Sequence, residues 1–113
     1  MNDVTMTALH SMLRGLSARQ QAIADNLSNL ETPGYTAKRV EFEDSLRSAL
    51  ESGDGNTDPS QVASTDPALP NGNNVSLETE TLTMQETNLR YEMAIQAMTA
   101  KFSLLRTSIS GQG

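Results

Sequence analysis

The stretch that decides the fold is Ala24-Asp25-Asn26-Leu27-Ser28-Asn29-Leu30-Glu31-Thr32-Pro33-Gly34-Tyr35. Thr32 stands before a proline, which disfavours the α-helical region of backbone conformation. Pro33 suits the second position of a type II turn, and Gly34 supplies the positive φ that the third position requires. The sequence therefore predicts that a helix ends at about residue 31 and that the chain changes direction there.

Upstream of this turn, apolar residues recur at alternating spacings of three and four, which is the period of a coiled-coil helix. Asp3 can cap the first turn, and Gly15 costs the helix about 1 kcal/mol relative to Ala without interrupting the period. We predict an N-terminal coiled-coil helix over residues 2–31. Its seam consists of Met6, Leu9, Leu13, Leu16, Gln20, Ile23, Leu27 and Leu30.

A second seam with the same spacing occupies the C-terminal third of the chain. Glu78 and Glu80 fall in the first turn of the corresponding helix, where the helix dipole favours acidic side chains. We predict a C-terminal coiled-coil helix over residues 75–111. Its seam consists of Met84, Asn88, Tyr91, Ile95, Met98, Phe102, Leu105 and Ile109.

Each seam contains one polar residue in its central stretch, Gln20 in the first and Asn88 in the second. Two interpretations stay open at this point. The amides are either plain interruptions of the apolar period or residues that fix the register and the oligomeric order of the helices.

The residues between the two helices differ in composition from both. Residues 32–50 are predicted to contain the Thr-Pro-Gly-Tyr turn and a short irregular or helical segment, with a helical turn at about 43–50. Residues 51–74 are rich in Ser, Gly, Asp, Asn, Thr and Pro. That composition is typical of a flexible polar linker.

These elements predict an all-α fold, in which the long N- and C-terminal helices pair as an antiparallel coiled-coil hairpin joined by an irregular polar connector. Pairing the two seams leaves a weaker apolar stripe on the flanks of the hairpin. A lone hairpin cannot cover this stripe, which indicates contacts with partner chains. The candidate subunit contacts are Met12, Ala94, Ala97 and Leu104.

The charge distribution argues against several classes of partner. Residues 41–80 carry nine acidic side chains and one basic one, whereas the two ends are almost neutral. No basic stripe is present that could release counterions from phosphates, so nucleic acid is not an expected partner. No apolar run approaches the roughly 18 residues of a membrane span, and no cleavable signal peptide is visible.

The sequence offers little for catalysis or metal binding. Its single His, His10, has no Cys, Asp or Glu at the spacing of a ligand set. Asp54, Asn56 and Asp58 resemble the opening of a calcium loop, but Pro59 replaces the glycine such a loop requires. Cys is absent. We therefore expect no catalytic residues, no cofactor and no metal, and a protein that is not an enzyme.

The opening stretch resembles the N-terminal signature of the bacterial flagellar rod and hook axial proteins, an Asn-rich helix end that runs into Thr-Pro-Gly-Tyr. Residues 36–42 are similar to the continuation in the proximal rod members of that family, and residues 72–78 to the start of their C-terminal helix. The resemblance covers residues 20–46 and 70–109, with Leu30, Glu31 and Ser76 as departures. The residues that it singles out are Asn26, Asn29, Thr32, Pro33, Gly34, Tyr35 and Asn88.

This resemblance implies a structural subunit of the proximal rod of the flagellar basal body, the drive shaft that crosses the periplasm and is required for motility. It implies export by the flagellar type III apparatus without a cleaved signal peptide, and no direct membrane insertion. The implied partners are other copies of the chain, other proximal rod proteins, the rod-base adaptor and the membrane ring.

The alternative function is a cytoplasmic helical-hairpin adaptor or secretion chaperone. Its helical seams would have the same period, so the period alone does not distinguish the two functions. The signature at Thr32–Tyr35 favours the rod subunit.

Overall fold

The computed structural model describes residues 3–111, and helices dominate it. In chain order the elements are helix α1 (Val4–Ser28), strand β1 (Lys38–Glu41), helix α2 (Glu43–Glu51), strand β2 (Ser60–Ala63) and helix α3 (Leu77–Gly111). The molecule is elongated, with principal extents of 67 × 26 × 14 Å. None of the helices in residues 3–111 is long and apolar enough to span a bilayer.

Helix α1 begins and ends with side-chain and backbone caps. The Asp3 carboxylate accepts hydrogen bonds from the backbone N–H groups of Thr5 and Met6, as an N-cap does. The helix ends at Ser28, earlier than the predicted residue 31, and hydrogen-bonded turns follow it. The predicted start at residue 2 lies outside the described part of the chain.

The turn after α1 has the expected backbone conformation. Gly34 has a φ of 74°, and the Tyr35 N–H donates to the Thr32 carbonyl at 3.3 Å. Gly34 is therefore required at this position, because a side chain is disfavoured at positive φ.

The two long helices pack together and run antiparallel. Their polar contacts connect Asp3 with Lys101 at 3.2 Å, Gln20 with Asn88 at 2.9 Å, and Asn26 with Glu80 at 2.9 Å. Gln20 and Asn88, the polar members of the two seams, are thus hydrogen-bonded to each other. The pair lies at the surface, where it adds specificity of alignment rather than much stability.

On α3, every second residue of the predicted seam is exposed instead of facing α1. Ala94 is only 3% exposed and Thr87 is fully buried, whereas the neighbouring seam members Ile95 and Asn88 are exposed. The prediction that Ala94 is free for a partner chain was therefore wrong. The small Ala94 side chain allows close approach of the helices, which a larger residue at this position would prevent.

The main cluster of buried apolar residues lies where the connector packs on α1. Its buried members are Leu16, Ala22, Val40, Phe42 and Leu46. Phe42 precedes α2 and packs against α1 at Gly15, where any Cβ atom would overlap the aromatic ring. The glycine that looked like a helix defect is thus what lets the connector dock on α1.

The connector contains regular structure, in contrast to the expected all-α fold with a flexible linker at residues 51–74. Strands β1 and β2 pair antiparallel, with Val40 opposite Gln61. The fully buried Ser11 hydroxyl donates to the Gly55 carbonyl at 2.9 Å and accepts from the Thr57 N–H. Backbone pairing and these side-chain hydrogen bonds order a segment whose composition alone indicates disorder.

Candidate functional site

The residues of the opening motif meet the start of α3 in a buried cluster, which we call the asparagine junction (Asn26, Asn29, Asn73 and Asn74). Asn26 is fully buried at its centre. Its amide Nδ2 donates to the Lys38 carbonyl and to Glu80 Oε1, both at 2.9 Å. Its Oδ1 accepts from the Lys38 N–H at 2.8 Å and from the Tyr35 hydroxyl at 3.2 Å. One side chain therefore joins α1, the turn, β1 and α3.

Asn73 binds the turn that follows α1. Its Nδ2 donates to the carbonyls of Asn29 and Thr32, both at 2.8 Å, and its Oδ1 accepts from the Val75 N–H at 2.7 Å. Each carbonyl also accepts a backbone hydrogen bond, that of Asn29 from the Thr32 N–H and that of Thr32 from the Tyr35 N–H, so Asn73 supplies the second donor to both. Asn73 is fully buried, and its amide thus ties the turn after α1 to the segment that leads into α3.

Asn74 continues the cluster toward the sheet. Its Oδ1 accepts from the Ala37 N–H at 2.6 Å, and its Nδ2 contacts the carbonyls of Ser64 and Asp66. Two glycines cross beside it, since a Cβ at Gly72 would lie 3.2 Å from the Gly34 Cα atom. The turn after α1 is therefore held in place by residues 72–74, about 40 positions further along the chain.

Glu80 is the acidic member of this region and is only 8% exposed. Burial raises the pKa of its carboxyl group, while the hydrogen bond from Asn26 and the nearby Arg39 oppose that rise. Asp66 adds to the rise by like-charge repulsion.

A second polar cluster joins the three helices. Arg19 donates to the two oxygens of Glu43 at 2.6 and 2.8 Å, and Arg90 donates to the same carboxylate at 3.2 Å. The Arg19 guanidinium also lies 4.9 Å from the centre of the Phe42 ring. The hydrogen bonds from Arg19, together with its positive charge, lower the pKa of Glu43 against the effect of burial.

The candidate assembly surface is the apolar surface of α3 that this chain leaves uncovered. Of the exposed large apolar residues, eight lie on α3 and none lies on α1. Met93 and Leu104 lie on one side of α3, and Ile95, Phe102 and Ile109 follow one another at heptad spacing on another. The eight residues are Leu77, Leu82, Leu89, Met93, Ile95, Phe102, Leu104 and Ile109.

The exposure is greatest at the C-terminal end of α3. Lys101 pairs with Asp3, the residue that caps α1, so residues 102–111 extend about 15 Å past this ion pair. Phe102 is 55% exposed, Leu104 68% and Ile109 73%. Exposed apolar patches of this kind mark interaction surfaces in soluble proteins.

An apolar groove of about 340 Å³ runs between α1 and α3 on the Met93 side. Met12 and Ala97, two of the predicted subunit contacts, line it. Leu104, the fourth candidate, lies beyond its end. The remaining apolar lining is Leu9, Leu16, Phe42, Met93 and Ala94.

Several residues of the two clusters carry no signal in the sequence pattern. Arg19, Phe42 and Gly15 form contacts that no spacing rule indicates, and Asn73 was noted only as part of the resemblance. Glu80 was assigned to the helix dipole, whereas its carboxylate points to Asn26. These contacts join residues far apart in the sequence, so no local pattern indicates them.

The described residues contain no cluster of His, Cys, Asp or Glu suited to a metal ion. The segment that resembles a calcium loop is instead bound to α1. Arg14 donates to Asn56 Oδ1 at 2.8 Å and lies 3.7 Å from Asp58.

Comparison with known proteins places the chain among flagellar proteins. It is 31% identical to the flagellar basal body rod protein FlgB of Bacillus subtilis, across 95% of this chain and 94% of that protein. It is 25% identical to the FlgB of Escherichia coli K12, across 88% of each chain, and 27% identical to the FlgB of Borreliella burgdorferi, across 74% of this chain and 79% of that protein. No protein-family profile matches the chain.

Proposed function

Because the chain belongs to the FlgB family of flagellar basal body rod proteins, we propose that it is a structural subunit of the proximal rod. It assembles with copies of itself and with other proximal rod proteins through its two terminal helices. In this proposal the rod-base adaptor and the membrane ring are its neighbours at the cell-proximal end. The subunit reaches the periplasm through the flagellar type III export apparatus, without a cleaved signal peptide.

The observation that carries the assembly role is the uncovered apolar surface of α3. The hairpin buries small and polar residues of α3 against α1, including Ala94 and Thr87. The larger residues Phe102, Leu104 and Ile109 remain in water. Burying apolar surface contributes about 25 cal/mol per Å², so these residues favour contact with neighbouring helices over exposure.

The test places a charge on this surface without disturbing the hairpin. We predict that Phe102→Asp, and likewise Ile95→Asp, abolishes swimming and removes the protein from purified basal bodies, because a carboxylate would be buried in the assembled rod without a partner. Both side chains are exposed in the single chain, so the purified variants should keep the circular dichroism and melting temperature of the unmodified protein.

Ser103→Asp is the matched control, because it adds the same charge at an exposed polar position next to Phe102. We expect cells with this variant to swim. Normal swimming with Phe102→Asp would contradict the assembly role of this surface. Recovery of the unmodified protein solely from the cytosol would instead support an adaptor or secretion chaperone.

A further inference from the structure

The segment that leads into α3 contains an Asn-Gly pair, Asn71-Gly72, and both residues are exposed. Among the asparagines of the sequence, Asn71 is the only one that a glycine follows. An asparagine cyclises when the backbone nitrogen of the next residue attacks its side-chain carbonyl carbon, and a side chain on that next residue hinders the attack. Glycine has no side chain and the widest backbone freedom, so hindrance is least at Asn71.

The reaction requires only water as a second reagent. The Gly72 nitrogen bonds to Cγ of Asn71, and the side-chain nitrogen leaves as ammonia, taking the proton that the Gly72 N–H loses. Water then opens the cyclic imide by breaking one of its two C–N bonds. Breaking the new bond to Cγ gives aspartate. Breaking the original main-chain bond gives isoaspartate, in which the main chain runs through the former side chain.

In the folded chain the groups that must react are held by hydrogen bonds. The Gly72 N–H donates to the Leu69 carbonyl at 2.8 Å, and Oδ1 of Asn71 accepts from the Asn73 N–H at 3.1 Å. The main-chain carbonyl of Asn71 accepts from the Gly34 N–H at 2.8 Å. Cyclisation removes the Gly72 proton and turns both carbonyl groups of Asn71 into one ring. The fold therefore opposes the reaction, because these hydrogen bonds must break or shift first.

Further contacts restrain the same segment. The Leu69 N–H donates to the Asn73 carbonyl at 2.8 Å, which closes residues 69–73 into a tight turn. The Asn74 N–H donates to the Tyr35 carbonyl at 3.3 Å. The segment therefore opens only when it separates from the turn after α1, and a reaction that requires an open segment is slowed by the small fraction of time spent open.

We propose that Asn71 is a site of spontaneous deamidation, which the folded chain protects and the unfolded chain leaves free to react. Deamidation is a covalent modification that adds one negative charge at this position. The longer a chain stays unfolded, the larger the fraction of chains in which Asn71 has been converted. The inference does not depend on the proposed role in the rod.

The two products differ in their effect on the asparagine junction. Aspartate keeps the length of the main chain, and its carboxylate can still accept from the Asn73 N–H. Isoaspartate places one more carbon atom in the main chain ahead of Gly72 and displaces the carbonyl that binds Gly34. Asn73 and Asn74 then no longer meet the turn after α1 in register, so a chain with isoaspartate at position 71 forms the junction poorly.

The first test incubates the full chain at mildly alkaline pH, once in buffer and once in concentrated guanidinium chloride, and follows each asparagine by fragment-ion mass spectrometry. We expect Asn71 to react at least about tenfold faster in guanidinium chloride, because only the open segment reacts in buffer. Asn56 is the internal control, since it is exposed and is followed by the β-branched Thr57. It is expected to react far more slowly than Asn71 in guanidinium chloride.

A second measurement tests the consequence for the fold. Asn71→Asp supplies the aspartate product directly and controls for the added charge. We expect the isoaspartate form, separated by anion exchange, to melt at least about 4 °C below Asn71→Asp, and Asn71→Asp to melt close to the unmodified chain. Comparable rates at Asn71 in buffer and in guanidinium chloride, faster reaction at Asn56 than at Asn71, or equal melting of the isoaspartate form and Asn71→Asp would overturn the proposal.

Discussion

At Asn26 one primary amide meets two carbonyl or carboxylate acceptors and two donors, which is its full hydrogen-bonding capacity. Asp could accept but not donate at this position. A longer Gln side chain would have to displace β1. The geometry thus explains why an asparagine stands at this point of the motif, which the resemblance alone does not.

We predict that Asn26→Ala lowers the free energy of unfolding by about 3 kcal/mol, because it leaves the Lys38 backbone groups buried without partners. Urea unfolding monitored by circular dichroism measures the change. Gln21→Ala on the exposed side of the same helix is the control and is expected to change stability by less than about 0.5 kcal/mol. An equal, small effect of the two substitutions would show that the junction does not stabilise the fold.

The sequence identifies Asn26 as part of a recognisable motif but does not indicate which groups it contacts. Asn26 and Asn29 belong to the recognisable stretch. The partner Asn73 lies 44 residues away from Asn29, and neither periodicity nor composition connects the two. Local rules predict the turn itself, since Pro33 fixes its own φ and Gly34 accepts the positive φ that the turn requires. The contacts that bury the turn are non-local.

At the level of elements, the docking of the connector on α1 depends on the match between Gly15 and Phe42. In an isolated helix, Gly→Ala stabilises by about 1 kcal/mol. Here we predict that Gly15→Ala destabilises the protein by about 1 to 3 kcal/mol, because the new methyl group overlaps the Phe42 ring. Thermal and urea unfolding of the purified variant give both sign and size.

Two further variants test whether the ring is the cause. In a Phe42→Leu background, Gly15→Ala should cost less than it does alone, which a double-mutant cycle measures. Gly111→Ala, where nothing lies within 4 Å of the new Cβ, should not destabilise. If Gly15→Ala stabilises the unmodified background, the contact with Phe42 does not limit this position.

The elements also show where sequence periodicity is insufficient. It predicts two long helices and their antiparallel pairing, and the structure has both. On α3, however, the apolar period passes through Ile95, Phe102 and Ile109, whereas the buried face passes through Thr87 and Ala94. The hydrophobicity of a residue does not indicate which element covers it. When a helix has apolar residues on more than one side, its sequence alone does not show which side packs against the partner helix.

For the molecule as a whole, two carboxyl groups, those of Glu43 and Glu80, contribute to the free energy of unfolding with opposite dependences on pH. The pKa of Glu43 is lowered by Arg19, so its contribution is present above the ordinary pKa of about 4.3 and is lost as the pH falls through its folded-state pKa. The pKa of Glu80 is raised by burial. Its contribution is present below the ordinary value and is lost as the pH rises through the raised pKa.

We therefore predict that Glu80→Gln, compared with the unmodified chain, is more stabilising at pH 7 than at pH 4. Glutamine keeps the acceptor for Asn26 and carries no charge to bury. Unfolding free energies of the two proteins at both pH values measure this. Glu78→Gln, an exposed position in the same turn, controls for the change in net charge. If Glu80→Gln changed the free energy of unfolding by the same amount at both pH values, burial of the charged carboxylate would not be the cause.

The contacts that hold α1 to α3 also govern how the chain folds in time. Asn26 and Glu80 are 54 positions apart in the sequence, and Gln20 and Asn88 are 68 apart. Non-local contacts lower folding rates, because a long loop must close before they form. During synthesis α1 cannot pair with α3 until the residues around 80 have emerged from the ribosome. The newly made chain thus spends an interval without the pairing of its two long helices.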